Sequence, residues 1–171
     1  GVMTFDALYV YMDAKQGRYG DWQSPAMVAL WRLIDPLAPG AASMFLLIIG
    51  LYWAAFTILA LRLVRARPWV AMLVPLLAVS PPALVIAGVI WRDVLFAAAW
   101  LLAAVLVLAA VYQSAARRRT AQTAALALFA LGVLVRPNAL IAAPILAVYL
   151  IWPQRLSFKR FVVAYVPIAA L

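Results

Sequence analysis

The chain contains neither cysteine nor histidine. Their absence excludes a disulfide, a thiolate nucleophile, an imidazole base and any zinc site built from His or Cys ligands. Chemistry here must rest on Asp, Arg, Lys, Tyr, Asn, Gln, Ser or a bound cation. Acids are scarce as well: five Asp+Glu stand against 14 Lys+Arg, for a formal net charge of +9. Charged residues make up only 11% of the 171 residues and apolar ones 70%, with a mean hydropathy of +1.07. A soluble domain carries about 25% charged and roughly 45–50% apolar residues. The composition therefore excludes a soluble globular domain and a disordered chain.

What is present is a series of apolar runs near the ~20 residues that a membrane helix requires. The expected fold is all-α, a polytopic transmembrane bundle preceded by a short exterior loop with juxtamembrane helices. Residues 1–40 form the loop and residues 41–171 the bundle. Within the loop, Phe5–Gln16 can form a short helix with Asp6, Tyr9 and Asp13 on one face. Gly17–Pro25 has turn chemistry. Ala26–Ile34 is apolar but short and ends at Asp35-Pro36, which suits an interfacial helix with Trp22 and Trp31 as headgroup anchors.

Five spans are expected after it: 41–61, 69–90, 94–112, 121–135 and 139–152. The second is broken at Pro75 and Ser80-Pro81-Pro82. A sixth begins at Phe161 and is cut short at Leu171. The chain opens on Gly-Val-Met and stops inside an apolar run, so it reads as part of a longer protein.

Alternating the connections sorts the charges. Segments 62–68, 113–120 and 153–160 carry nine bases and no acid. Residues 1–40, 91–93 and 136–138 carry all five acids and five bases. The positive-inside rule makes the basic face cytoplasmic and puts the acids, and any site, outside. Membrane topology thus accounts for the net charge, and no nucleic-acid partner is expected.

Arg92-Asp93 and Arg136-Asn138 interrupt apolar helices on the acidic face, where topology asks for no positive charge. A guanidinium fork suits a lipid phosphate at that depth. Lone arginines also snorkel from helix ends to headgroups, and that alternative stays open. Asp6, Asp13 and Asp21 are the candidate carboxylates. Asp6 stands out, because it follows Phe5 near an expected membrane boundary and would be partly desolvated.

These segments carry a resemblance. An outward Asp before a short helix, then GDWQSP, then WRDVLF opening a span after a Pro-Pro break, then RPNAL, resembles the GT-C class of membrane glycosyltransferases. That class includes relatives of the protein O-mannosyltransferases and of the lipid A aminoarabinose transferase. Its members carry an Asp before a helix, an Asp-Trp-His-Pro-Pro box, a Trp-Lys-Asp box and an Arg-Lys-Asn-Gly-Leu box. On that resemblance Asp6 is the catalytic aspartate. Asp21, Trp22, Gln23 and Pro25 fall in the second box, Trp91, Arg92 and Asp93 in the third, and Arg136, Asn138 and Leu140 in the fourth. Gln23 and Ser24 stand for His and Pro, Pro137 for Lys and Ala139 for Gly.

The resemblance implies inverting transfer of a sugar from a polyprenyl-phosphate donor to a lipid, glycan or protein acceptor outside the cytoplasmic membrane. Asp6 would be the base. Asp21, Trp22, Gln23, Arg92, Asp93, Arg136 and Asn138 would bind substrate. No cofactor or metal site is demanded, although a divalent cation is compatible with this chemistry. Two alternatives stay open. A transporter or flippase predicts an inverted repeat, which the sequence lacks. A non-catalytic relative is favoured by the Gln23-Ser24 change.

Overall fold

Proline placement sets many of the helix starts. In the computed structural model, which describes residues 2–20, 24–151, 159, 162 and 163, Pro25, Pro68 and Pro81 each open a helix. Proline suits that position, because its missing N–H is unsatisfied there in any case. The helices are α1 (Phe5–Gln16), α2 (Pro25–Ile34), α3 (Ala41–Val64), α4 (Pro68–Ala78), α5 (Pro81–Ala87), α6 (Arg92–Ala110), α7 (Ala115–Val135) and α8 (Ala143–Ile151). Two short strands, β1 (Val2–Met3) and β2 (Val89–Ile90), pair in parallel, with Val2 opposite Val89 and Met3 opposite Ile90. The described residues are nearly all helical.

Two helices are long and apolar enough to cross a membrane, α3 and α6. At a rise of 1.5 Å per residue they measure about 36 and about 28 Å, near the ~30 Å hydrocarbon thickness. The pair α4 and α5, bent by 55°, adds a third if it is one broken span. The expectation of five spans therefore needs correction at two places.

First, helix α7 starts at Ala115, six residues before the expected Ala121, and takes Arg117, Arg118 and Arg119 into its first turns. The Ala, Arg and Gln there are good helix formers with no Gly or Pro among them. The uncharged remainder, 120–135, is about 24 Å long. Second, the run 139–152 is divided. Pro137–Ile141 forms a 3-10 turn, and α8 that follows has nine residues. Pro144 sits at the start of α8 rather than inside a span. The expected sixth span lies outside the described residues.

The α4–α5 break shows how the prolines are tolerated. In a continuous helix the Leu77 and Ala78 carbonyls would accept from residues 81 and 82, and both are prolines. Ser80 Oγ donates to the Leu77 carbonyl at 2.8 Å instead, and Tyr52 Oη on α3 donates to the Ala78 carbonyl at 2.6 Å. Each freed acceptor is thus re-satisfied, which a break inside hydrocarbon would require. Tyr52→Phe should leave the Ala78 carbonyl without a donor. The expected cost is about 1–3 kcal/mol, the penalty for an orphaned buried polar group. It should be visible as a lower thermal unfolding midpoint in detergent, and an unchanged midpoint would mean that water reaches the break.

Residues 1–40 share their core with the later helices. Val10, Met27, Val28 and Trp31 pack with Met44 and Ile48 of α3, Ile90, Leu95 and Val135. Trp31 is 0% exposed and donates from Nε1 to the Gly40 carbonyl at 3.2 Å. It is therefore the centre of this core and not a headgroup anchor. Its face of α2 is covered, and its one polar atom is satisfied inside. At the opposite end, Arg62 lies over the Tyr112 ring at 5.4 Å. That contact brings the end of α3 beside the segment leading into the arginines of α7.

Candidate functional site

Helix α1 is capped by Thr4, whose Oγ1 accepts from the Ala7 N–H at 3.2 Å, and ends at Gly17 in the left-handed region, φ 67°. Ala7, Val10 and Ala14 turn inward, one every three or four residues. Asp6 in the first turn is exposed.

What fixes Asp6 in space is the β1–β2 pair. Val2 N–H donates to the Gly88 carbonyl at 2.9 Å, so the residues before α1 run alongside the residues before α6. Strand β2 leads directly into Trp91-Arg92-Asp93. As a result Asp6, Ala7, Val10, Met27, Trp91 and Arg92 line one shallow recess. Asp6 and Arg92, 86 positions apart, thus both border it.

Arg92 and Asp93, a polar interruption before the span expected from Val94, form the first turn of α6, with Trp91 as its N-cap residue. An acid in a first turn complements the helix dipole. Asp93 also forms an ion pair with Arg136, the residue that ends α7. The Arg136 guanidinium lies 5.9 Å from the Phe96 ring centroid, within cation–π range. Arg92 thus borders the recess beside Asp6, and Arg136 is held by Asp93. Among the described residues Arg92 has no ion pair.

Asp21, Trp22 and Gln23 lie outside the described residues. Ser24, which follows them, is 6% exposed. Its Oγ accepts from the Met27 N–H at 3.3 Å and donates to the Leu134 carbonyl at 3.0 Å. The helical partner of that carbonyl would be the N–H of residue 138, but α7 ends at Val135. Ser24 fills the vacancy and ties the start of α2 to the end of α7, two residues from Arg136. A Ser before a Pro is a local sign of such a cap, but nothing local indicates the second bond. Asn138 is exposed on the 3-10 turn, and its side chain has no hydrogen-bond partner among the described residues.

Beside this cluster lies an apolar groove of about 500 Å³. Tyr52 and Phe56 of α3, Ile86 of α5 and Leu101 of α6 line it, with Trp91 and Asp93 also in its wall. Trp91 borders both the groove and the recess.

The sequence also gave no sign of a buried acid at Asp35. Lys15 Nζ bonds its Oδ2 at 2.6 Å and the Gly40 N–H bonds its Oδ1 at 2.8 Å. The Lys15 bond, and then the Gly40 N–H, hold the Asp35 carboxyl below its usual value, and the same bond raises the Lys15 ammonium. Among the described residues no three acids gather in a way that could hold a metal ion. No protein-family model, curated protein or solved structure matches this chain.

Proposed function

We propose that this chain is the membrane part of a GT-C-class glycosyltransferase. It transfers a sugar from a polyprenyl-phosphate donor to an acceptor outside the cytoplasmic membrane, with inversion. One observation carries the reading. Asp6 and Arg92 border one recess, while Asp93 holds Arg136, so segments from three distant parts of the chain meet near the start of α6.

The chemistry follows from those positions. The Asp6 carboxylate takes the proton from the acceptor hydroxyl. The freed oxygen attacks the anomeric carbon from the face opposite the phosphate. The bond from that carbon to the phosphate oxygen breaks, and its electron pair leaves with the polyprenyl phosphate. Arg92 stabilises the charge that develops there. Asp93 keeps Arg136 at the same end of α6. The apolar groove beside Trp91 and Asp93 receives the first part of the lipid chain.

Donor affinity tests the reading through Arg92→Ala, Arg136→Ala and the double variant. Each single change should weaken donor binding by about 10- to 100-fold, the scale of a hydrogen bond between charged groups. The pair should be non-additive, because both act on one anion. A second reading rests on the Asp93–Arg136 pair itself. As a staple between α6 and α7 alone, it predicts that Arg136→Ala lowers stability and leaves donor affinity intact. That outcome, together with an unaffected Arg92→Ala, would refute the enzyme reading.

A further inference from the structure

A second polar recess lies between α1 and α2, lined by Tyr11, Ala14, Lys15, Arg32, Asp35 and Pro36 and about 140 Å³ in volume. Its charges do not balance. Asp35 is fully engaged, one oxygen by Lys15 and the other by the Gly40 N–H. Lys15 matches its single negative charge and keeps further N–H donors, since an ammonium has three. Arg32 is then a surplus cation, and among the described residues it has no ion pair.

The Arg32 side chain is exposed and packs beside the turn that ends α1. Its guanidinium lies against Gly17, where an added Cβ would come within 2.7 Å of Nη1. Gly17 already needs to be glycine for its φ of 67°. The turn that ends α1 therefore makes room for the Arg32 head group. The recess sits just before the start of α3, because Asp35 precedes Ala41 by only six residues. The end of a spanning helix lies at headgroup depth.

We propose that this recess binds a phosphate group, with the Arg32 fork and the Lys15 ammonium as donors. A planar fork fits two phosphate oxygens at once. The site is independent of the glycosyltransferase reading: it uses none of Asp6, Arg92, Asp93 or Arg136, and its test does not depend on turnover.

The test is thermal unfolding of the protein in dodecyl maltoside micelles, which contain no phosphate. One arm titrates inorganic phosphate at constant ionic strength against chloride. The other adds phosphatidylglycerol to the micelles. A saturable rise in the unfolding midpoint is expected in at least one arm. A rise in both arms makes any phosphate a ligand, and a rise with the lipid alone makes it a headgroup site. Arg32→Gln should weaken the apparent affinity by about 10- to 100-fold. Arg32→Lys keeps the charge without the fork, guards against a simple folding defect and should fall in between. Arg118→Gln, at the other end of the molecule, should respond as the wild type does. No saturable rise in either arm, or an equal rise in wild type and both Arg32 variants, would overturn the proposal.

Discussion

Asp6→Asn should reduce sugar transfer by about 10²–10⁴-fold, the usual contribution of a general base, with donor affinity little changed. The substitution keeps size and hydrogen-bonding capacity and removes basicity. Asp6 has no hydrogen-bond partner among the described residues, and its side chain is exposed in the first turn of α1. Little in the fold therefore depends on its charge, so a loss of turnover would report chemistry and not misfolding. Its neighbours across the recess, Trp91 and Arg92, come from another helix start, which suits a group that must meet both acceptor and donor. The measurement is single-turnover transfer alongside donor affinity. Unchanged turnover would move the base to Asp13 or Asp21 or remove the enzyme reading. A parallel loss of donor affinity would make Asp6 a binding group.

How much of this was legible in the sequence depends on which interactions are local. The ends of α1 follow from Thr4 and Gly17, and the start of α2 from Ser24-Pro25, because caps and turn residues act within a few positions. The two clear spans follow from apolar length. Hydropathy could not reveal where α7 starts, because Arg117–Arg119 are polar yet helix-forming. Nor could it show that Pro137 and Pro144 open short elements in place of one span. The site was legible as residue types in order, not as contacts. Strands of two residues have no alternation to read, yet β1 and β2 set the residues before α1 beside those before α6. The Asp93–Arg136 pair joins positions 43 apart, a contact that residue order does not disclose. Ser24, noted only as a departure from a motif, is a tie between helices because an unfilled carbonyl happens to end α7 beside it.

The same helix pair governs stability, and Gly132 is where it should fail. Helix α6 packs more extensively on α7 than on any other element. In a membrane such contact relies on small residues that let backbones approach. At Gly132 an added Cβ would run into the Trp100 indole, with Phe96 at 3.2 Å. Trp100 has little freedom to move away. Its Nε1 donates to the Phe129 carbonyl at 3.1 Å, its ring stacks on Phe129 at 5.3 Å, and the Phe96 ring lies 4.5 Å away. Replacing glycine inside a helix by alanine gains roughly 0.5–1 kcal/mol from the backbone. Overpacking costs about 1–3 kcal/mol, and displacing the indole forfeits a hydrogen bond worth about 1 kcal/mol. The steric terms win, so Gly132→Ala should destabilise by about 1–3 kcal/mol net and Gly132→Leu by more. Because Asp93 stands at the start of α6 and Arg136 at the end of α7, a splayed pair should lose donor affinity along with stability. Removing the obstacle tests the cause: Trp100→Leu combined with Gly132→Ala should be more stable than the two single losses added together, with a coupling of at least ~1 kcal/mol. A Gly132→Ala protein that unfolds at or above the wild-type midpoint would show that α6 and α7 are not in this close register.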